Sequence, residues 1–554
     1  MNRIFTYLFL SVLCLSGCIH NDIPYPTVVP HIISMKVQDA VEVDIDYDAQ
    51  VVTVYVSETT DLRNVVIQSV EFDHHVAVPS VNLLGSHDLT SPLRFKISTY
   101  QDYDWTLKAV RRVERYFTVA GQVGSTAIDE YNCRAIAMVS KDADLSNIEV
   151  TSLKLGPKDI TTYSMELSQM KDFTDGLSVD VTAFGLTETW TLFVEVTDIT
   201  VEITMINPWT RSAYVTAMAV AGKETVFHYR SKGSSDWNVV STDDVASDGG
   251  AFTAHIRGLE PATNYEVMVV SGGDSTEPME FQTAPATRIP NGSFEYASLV
   301  NGTNYYKFYD PFCGVEEGET MFWGSGNGEG SEGTSGSAGM GIIITTIDKQ
   351  SKVDGKQSVC AQTSQMAGIL AAGNLFTGQF AGLVGTEGGM VNFGRPWTTR
   401  PTAMKLYCRY TTSKIDIIGK KMPPGVTLTN DDYDRAQIKV AIGNWNYRTY
   451  GGTKDSPVHV NTTDASTFVD FSKDSSTIAN GELIIHKDSY ILNGAGQVDA
   501  ATYEWAEYTI PLNYHTLEEV PTHIIVSCAA SQYGDYFTGC SSSKLWIDKV
   551  ELVY

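Results

Sequence analysis

The sequence predicts an all-β, multidomain protein in which tandem β-sandwich modules of immunoglobulin-like type precede a C-terminal jelly-roll sandwich. Three observations carry this reading. At 554 residues the chain is too long for one hydrophobic core and divides into several domains. Val, Ile and Thr recur in short runs among 28 Tyr and 45 Gly, with no sustained helical period. The chain also ends on an alternating stretch. Leu545, Ile547, Val550, Leu552 and Tyr554 are apolar, Lys544, Asp548, Lys549 and Glu551 are polar, and one slip near Asp548 signals a bulge. A terminal strand needs a slot in a sheet, and Ile289 to Glu295, at the start of the same module, is the expected partner.

Charged residues make up 19% and hydrophobic residues 43%, a folded composition. The net charge of −27 argues against nucleic acid or anionic headgroups as electrostatic partners. No CxxC pair occurs among the cysteines, so a zinc site of ordinary spacing is not expected. Cys360, Cys408 and Cys528 fall in apolar strand-like runs and read as buried thiols. Cys313 and Cys540 are open to either a disulfide or free thiols.

Residues 1–17 combine Arg3, the apolar run Ile4 to Leu15, and Leu15-Ser16-Gly17 before Cys18, the pattern of a lipoprotein signal. Cleavage before Cys18 leaves a lipidated N-terminus, anchored to a membrane without spanning it. Ile19 after the cysteine favours the outer membrane, with the protein facing the cell surface. Residues 18–30, with Pro24, Pro26 and Pro30, form a stiff lipidated spacer.

An internal repeat follows. Ser57, Asp61-Leu62, Asn64-Val65 and Ser69 recur as Ser140, Asp144-Leu145, Asn147-Ile148 and Ser152, and Trp105-Thr106-Leu107 recurs as Trp190-Thr191-Leu192. This predicts two sandwich modules, 31–116 and 117–201, with Asp61 and Asp144 capping turns. Residues 202–286 contain Leu259, Pro261, Thr263 and Tyr265, a spacing that resembles the tyrosine corner of a fibronectin type III domain. No ligand is assigned to it.

Residues 287–554 form the last module. Strands are expected at 358–361, 404–410, 436–442, 481–485, 504–510 and 523–529, and the Gly/Ser/Glu-rich 324–341 reads as a loop. Within it, 328–333 matches GxGxxG in form only, because no strand leads in and Glu329 and Glu332 would repel phosphate. HExxH and GxSxG are missing, so no organic cofactor and no catalytic residue is assigned. Acids such as Glu387, Glu504, Glu507 and Asp535 keep a paired-carboxylate glycosidase open as an alternative. Asn444-Trp445-Asn446-Tyr447-Arg448, bracketed by Gly443 and Gly451-Gly452, offers aromatic faces beside amide and guanidinium groups, the combination that recognises sugar, and Trp397 with Arg395 offers another.

Tyr533-Gly534-Asp535-Tyr536-Phe537-Thr538-Gly539 with Leu545-Trp546-Ile547-Asp548, then Gly394-Arg395-Pro396-Trp397-Thr398-Thr399-Arg400-Pro401, and Trp323 with Asn327, together resemble motifs of the putative carbohydrate metabolism domain (PCMD) family of Bacteroidota surface lipoproteins. The resemblance covers the last half of the chain and implies a jelly roll that engages glycan, adding Trp323, Asn327 and Asp535 to the candidate residues. The strings NGSFE and LWIDKV also resemble jelly-roll carbohydrate-binding modules, in which an early and a late acid hold a structural Ca2+. Here those acids are Glu295 and Asp548. The expected function is glycan binding by a lipid-anchored surface protein whose preceding modules are spacers. The alternatives are a glycoside hydrolase on the same jelly roll, or a structural adhesin that binds partner surface proteins.

Overall fold

The computed structural model describes residues 29–47, 49–300, 305–313, 322–328, 336–366, 368–385, 387–420, 422–423, 426–486 and 504–554. The expected signal sequence, Cys18 and nearly all of the spacer lie outside the described residues, as does 329–335 of the glycine-rich loop. The chain is all-β and built of several packed sheets. It divides into two compact units, Met1–Thr200 with Val220–Gly222, and Val201–Ala219 with Lys223–Tyr554.

The first unit carries the repeat. In each copy the strand that opens the motif pairs in parallel with the strand bearing the tryptophan: Val51–Val56 with Asp102–Arg111, and Arg134–Ser140 with Leu186–Thr197. Both strands alternate buried and wetter residues, so Trp105 and Trp190 each point into a separate apolar core. Asp61 and Asp144 act as turn residues, each accepting a backbone N–H, from Arg63 and Ser146, at the start of a 3-10 turn.

In the second unit, a four-stranded sheet from Val201–Pro208 to Val245–Asp248 faces a five-stranded sheet built on Thr225–Ser231 and Asn264–Ser271. Between them lies a core that includes Phe227, Ile256 and Val267. Tyr265 Oη accepts the Glu260 N–H at 2.8 Å, the corner that the Leu-x-Pro-x-Thr-x-Tyr spacing anticipates.

The C-terminal module packs two sheets face to face. One has nine strands, with Gly388–Phe393, Asn374–Val384, His523–Ala529, Ala436–Gly443 and Thr477–Ile485 neighbouring in that order. The other runs Thr345–Asp348, Ser358–Gln362, Lys544–Val553, Ala403–Thr411, Ala506–Pro511. Their facing sides share one apolar core, from Phe294 and Val359 to Ile438, Val526 and Ile547.

The terminal strand is thus central, but its partners differ from the expected one. It pairs with Ser358–Gln362 and Ala403–Thr411. Residues 289–295 form a turn, with Asn291 and Phe294 at φ of 44° and 56°, a left-handed backbone no strand can hold. Pro290 removes a further ladder donor. The turn still meets the last strand at one point, where the Gly292 carbonyl accepts the Val550 N–H at 2.8 Å. The bulge near Asp548 is present. The register slips there, and Lys549 takes φ 50°.

Candidate functional site

Most of the aromatic and arginine residues singled out in the sequence prove to be buried and structural, while Tyr447 and Arg448 stay at the surface. Trp445, expected in an exposed loop, is 2% exposed. Asn446 caps a single helical turn, Tyr447–Tyr450, and this folds the Trp445 ring inward. There its Nε1 donates to Asp474 at 2.9 Å and its edge meets Phe471. Tyr447 stays 39% exposed with Arg448 over its ring, while Asn444 donates to Glu519. Trp397 is buried, its Nε1 bonded to the Thr399 carbonyl.

Arg395 is buried between the Phe322 and Gly378 carbonyls and Ser456 Oγ, and this burial pushes its guanidinium down to about 10. Trp323 donates to the Pro290 carbonyl, and Asn327 bridges the Thr345 carbonyl and the Ile344 N–H. None of these five buried side chains, Trp323, Asn327, Arg395, Trp397 and Trp445, presents a free face to a sugar. The motif 394–401 instead places Arg400 under the third module. Arg400 donates to Asn207 Oδ1 and to the Pro208 and Leu517 carbonyls, with its guanidinium 4.6 Å from the Trp209 ring centroid. Glu507 lies on the other sheet beside Lys405, and Glu387 in the turn before Gly388–Phe393, so neither joins Asp535 in the cleft described next.

Asp535 is the sequence candidate that reaches a cavity. A cleft of about 470 Å3 opens over the nine-stranded sheet. In Ala436–Gly443, Ile438 and Val440 are buried in the core between the sheets, so Gln437 and Lys439 alternate onto the other face. Asn480 and Glu482 of Thr477–Ile485 join them, and Gln437 Nε2 donates to Glu482 at 2.6 Å. One wall is aromatic: the Phe468 and Tyr536 rings stack at 5.6 Å and 12°. Buried Trp445 backs this wall through Phe471, which is what its burial achieves. Gln532 adds an amide whose Oε1 is buried without a partner among the described residues.

The turn that bears Asp535 is held from beneath by another acid. Asp434, 3% exposed, accepts hydrogen bonds from Ser531 Oγ at 2.6 Å, the Cys540 N–H at 2.8 Å and Ser543 Oγ at 2.8 Å on one oxygen, and from the Arg435 N–H on the other. Desolvation outweighs these bonds and raises its pKa. Asp535 has no hydrogen-bond or ion-pair partner among the described residues. Solvent reaches its side chain from the cleft, yet protein surrounds the turn, and this desolvation holds its pKa above the ordinary carboxylate range while nearby Lys439 opposes the shift. An unpaired carboxylate in a concavity is available to accept hydrogen bonds from a ligand. The polar alternation of Gln437 and Lys439 was readable in the sequence, but the cleft they floor was not.

Glu295 and Asp548 do converge, on the 353–356 turn. Asp548 is fully buried and accepts the Val353, Asp354 and Lys549 N–H groups; Glu295 accepts the Lys356 N–H. Burial, with the charge of Glu295 adding, raises the Asp548 pKa. Two hard carboxylates supply part of the oxygen set that Ca2+ takes, and carbonyls or water would supply the rest. Among the described residues no group of three or more His, Cys, Asp or Glu side chains gathers to hold a metal.

Known proteins give the following likenesses. A crystal structure of a putative glycoside hydrolase from Bacteroides thetaiotaomicron is 13% identical, covers 96% of this chain and 98% of its own, and has a TM-score of 0.31. Another, from Bacteroides vulgatus, is 19% identical over 48% of this chain and 97% of its own, with a TM-score of 0.29. A non-crystalline cellulose specific carbohydrate-binding module, CBM28, is 11% identical over 43% of this chain and 91% of its own, with a TM-score of 0.20. No curated protein matches the chain. Residues 293–553 match the family model described as "Putative carbohydrate metabolism domain", spanning both sheets, the cleft and Asp535, and the chain therefore carries a C-terminal domain of the PCMD family.

Proposed function

We propose that the C-terminal module binds glycan in the cleft over its nine-stranded sheet, and that the chain is a lipoprotein attached through Cys18 to the outer membrane and facing the cell surface, with the preceding modules as spacers. The observation that carries the binding reading is Asp535, a carboxylate with no partner among the described residues, beside the aromatic wall of Phe468 and Tyr536. Sugars present apolar C–H faces to aromatic rings and hydroxyls to carboxylate and amide groups, and this cleft supplies both. The test is glycan-array and affinity-gel binding by the soluble full chain lacking residues 1–18. Asp535→Asn is expected to weaken binding about tenfold, the size of one charge-assisted hydrogen bond. Wild-type affinity should rise with pH as Asp535 ionises, and the variant should lose that dependence. Unchanged affinity in Asp535→Asn and in Tyr536→Ala would remove the site. For the anchor, Cys18→Ser should shift the protein from the membrane fraction to the soluble one, and persistent membrane attachment argues against lipidation there.

One observation favours a second reading. Asp470, Glu482 and Asp535 line the same cleft, and Asp535 is held toward its protonated form. A raised acid with a second carboxylate nearby is the equipment of glycoside hydrolysis. Release of new reducing ends from a bound glycan, lost in Asp535→Asn, would select hydrolysis over binding alone.

A further inference from the structure

A second cavity, of about 190 Å3, adjoins the cleft, and its lining is mainly apolar: Met340, Ile342, Met366, Ile369, Phe380 and Leu383 contribute, with Ser337, Asn374, Thr462 and Asp535 as polar members. The 533–537 turn is the ridge between the two. Tyr536 faces the cleft, Phe537 faces the second cavity, and Asp535 lines both. Glycine makes part of the room, since Gly385, Gly388 and Gly389 lie along one wall. Met340, Met366 and Ile369 remain 44%, 43% and 38% exposed.

We propose that this cavity is a subsite for an aryl group carried by the sugar that occupies the cleft; the inference rests on the glycan reading of that cleft. Size points to the group, because an apolar cavity of about 150 Å3 lined by Leu, Ile and Phe stays dry and takes up benzene. Chemistry points to its attachment. A wholly apolar guest would offer the Asp535 carboxylate at the junction no donor in place of the water it excludes, whereas a sugar hydroxyl supplies one. An unsubstituted glycan would leave Met340, Met366 and Ile369 wet. A sugar that extends an aromatic substituent across the ridge answers both demands at once.

The test titrates the soluble full chain calorimetrically with matched phenyl and methyl β-glycosides of glucose, galactose, mannose and xylose, and with phenol alone. For the sugar that binds, the phenyl glycoside is expected to bind about tenfold more tightly than its methyl counterpart, as burial of a ring implies. Gly389→Leu fills the cavity. A Cβ at Gly389 meets Phe380 at 3.5 Å, an ordinary contact, so the backbone accommodates it. This variant should erase the phenyl advantage and keep the methyl glycoside affinity. Ile369→Ser, at the exposed mouth, should reduce the advantage without burdening the core.

Equal affinity for phenyl and methyl glycosides in the wild type, or an advantage that survives both variants, overturns the subsite and leaves the glycan reading standing. Phenol binding with no glycoside or oligosaccharide binding overturns the glycan reading and the aryl-sugar assignment with it. Absence of all binding overturns both.

Discussion

At the scale of single residues, carboxylates do three separate jobs in this module, and their partners tell them apart. Asp434 is saturated with donors and ties the 531–543 segment to the sheet. Asp535, next to that knot, has no partner among the described residues. Asp548 and Glu295 share the 353–356 turn, and the charge of Glu295 adds to the burial that makes Asp548 costly to ionise. A cation between them would relieve that cost, and we propose a structural Ca2+ there, a staple with no chemical role. Added Ca2+ should raise the melting temperature and a chelator should lower it, with Asp548→Asn abolishing the response; a melting temperature indifferent to both reagents excludes the ion. The acids at 295 and 548 were legible as a pair because each sits in a recognisable string. The solitude of Asp535 was not legible, because it depends on which donors the fold withholds.

At the scale of elements, alternation is what made strands readable. The stretches expected at 358–361, 404–410, 436–442 and 523–529 appear at Ser358–Gln362, Ala403–Thr411, Ala436–Gly443 and His523–Ala529. The bulge near Asp548 was visible too, since a slip in a period of two has few other causes. The opening segment 289–295 misled because its composition permits a strand while its backbone takes two left-handed positions. It nonetheless locks the last strand. A Cβ on Gly292 would stand 2.1 Å from the Val550 carbonyl oxygen, and backbone cannot yield as a side-chain tip can. Gly292→Ala should therefore cost about 1–3 kcal/mol, the usual penalty of overpacking, read as a lower denaturant midpoint. A midpoint equal to wild type would show that the turn is not held against the strand. Trp445 illustrates the converse failure: flanking glycines suggested a loop, and the Asn446 cap made a helical turn that buries the ring.

At the scale of the molecule, the second unit joins the third module to the C-terminal one. Arg400 links them through Asn207, Pro208 and Trp209, while Trp209 packs on Tyr514 at 4.7 Å between ring centroids. These are buried contacts, and truncating one partner strands several acceptors. Arg400→Ala is expected to split or broaden the calorimetric transition of the second unit as the third module uncouples and unfolds at lower temperature; an unaltered single transition would mean that the latch does not couple them. The motif that resembles a family signature at 394–401 thus serves architecture here, and the glycan candidates built on its Trp397 and Arg395 give way to the cleft.

The sequence by itself determined the all-β class, the repeat, the tyrosine corner and seven strands of the last module, the terminal one among them. Each of these is written in local spacing: a period of two, a recurring Asp and Trp, a Leu-x-Pro-x-Thr-x-Tyr run. Only the tertiary structure decided which aromatic rings are buried, which strands flank the terminal one, and that Asp535 faces two cavities with no partner among the described residues. Burial and hydrogen-bond satisfaction are properties of what long-range packing brings to a side chain, and Gln437, Phe468, Glu482 and Asp535 share a cleft through contacts that no local pattern in the chain encodes.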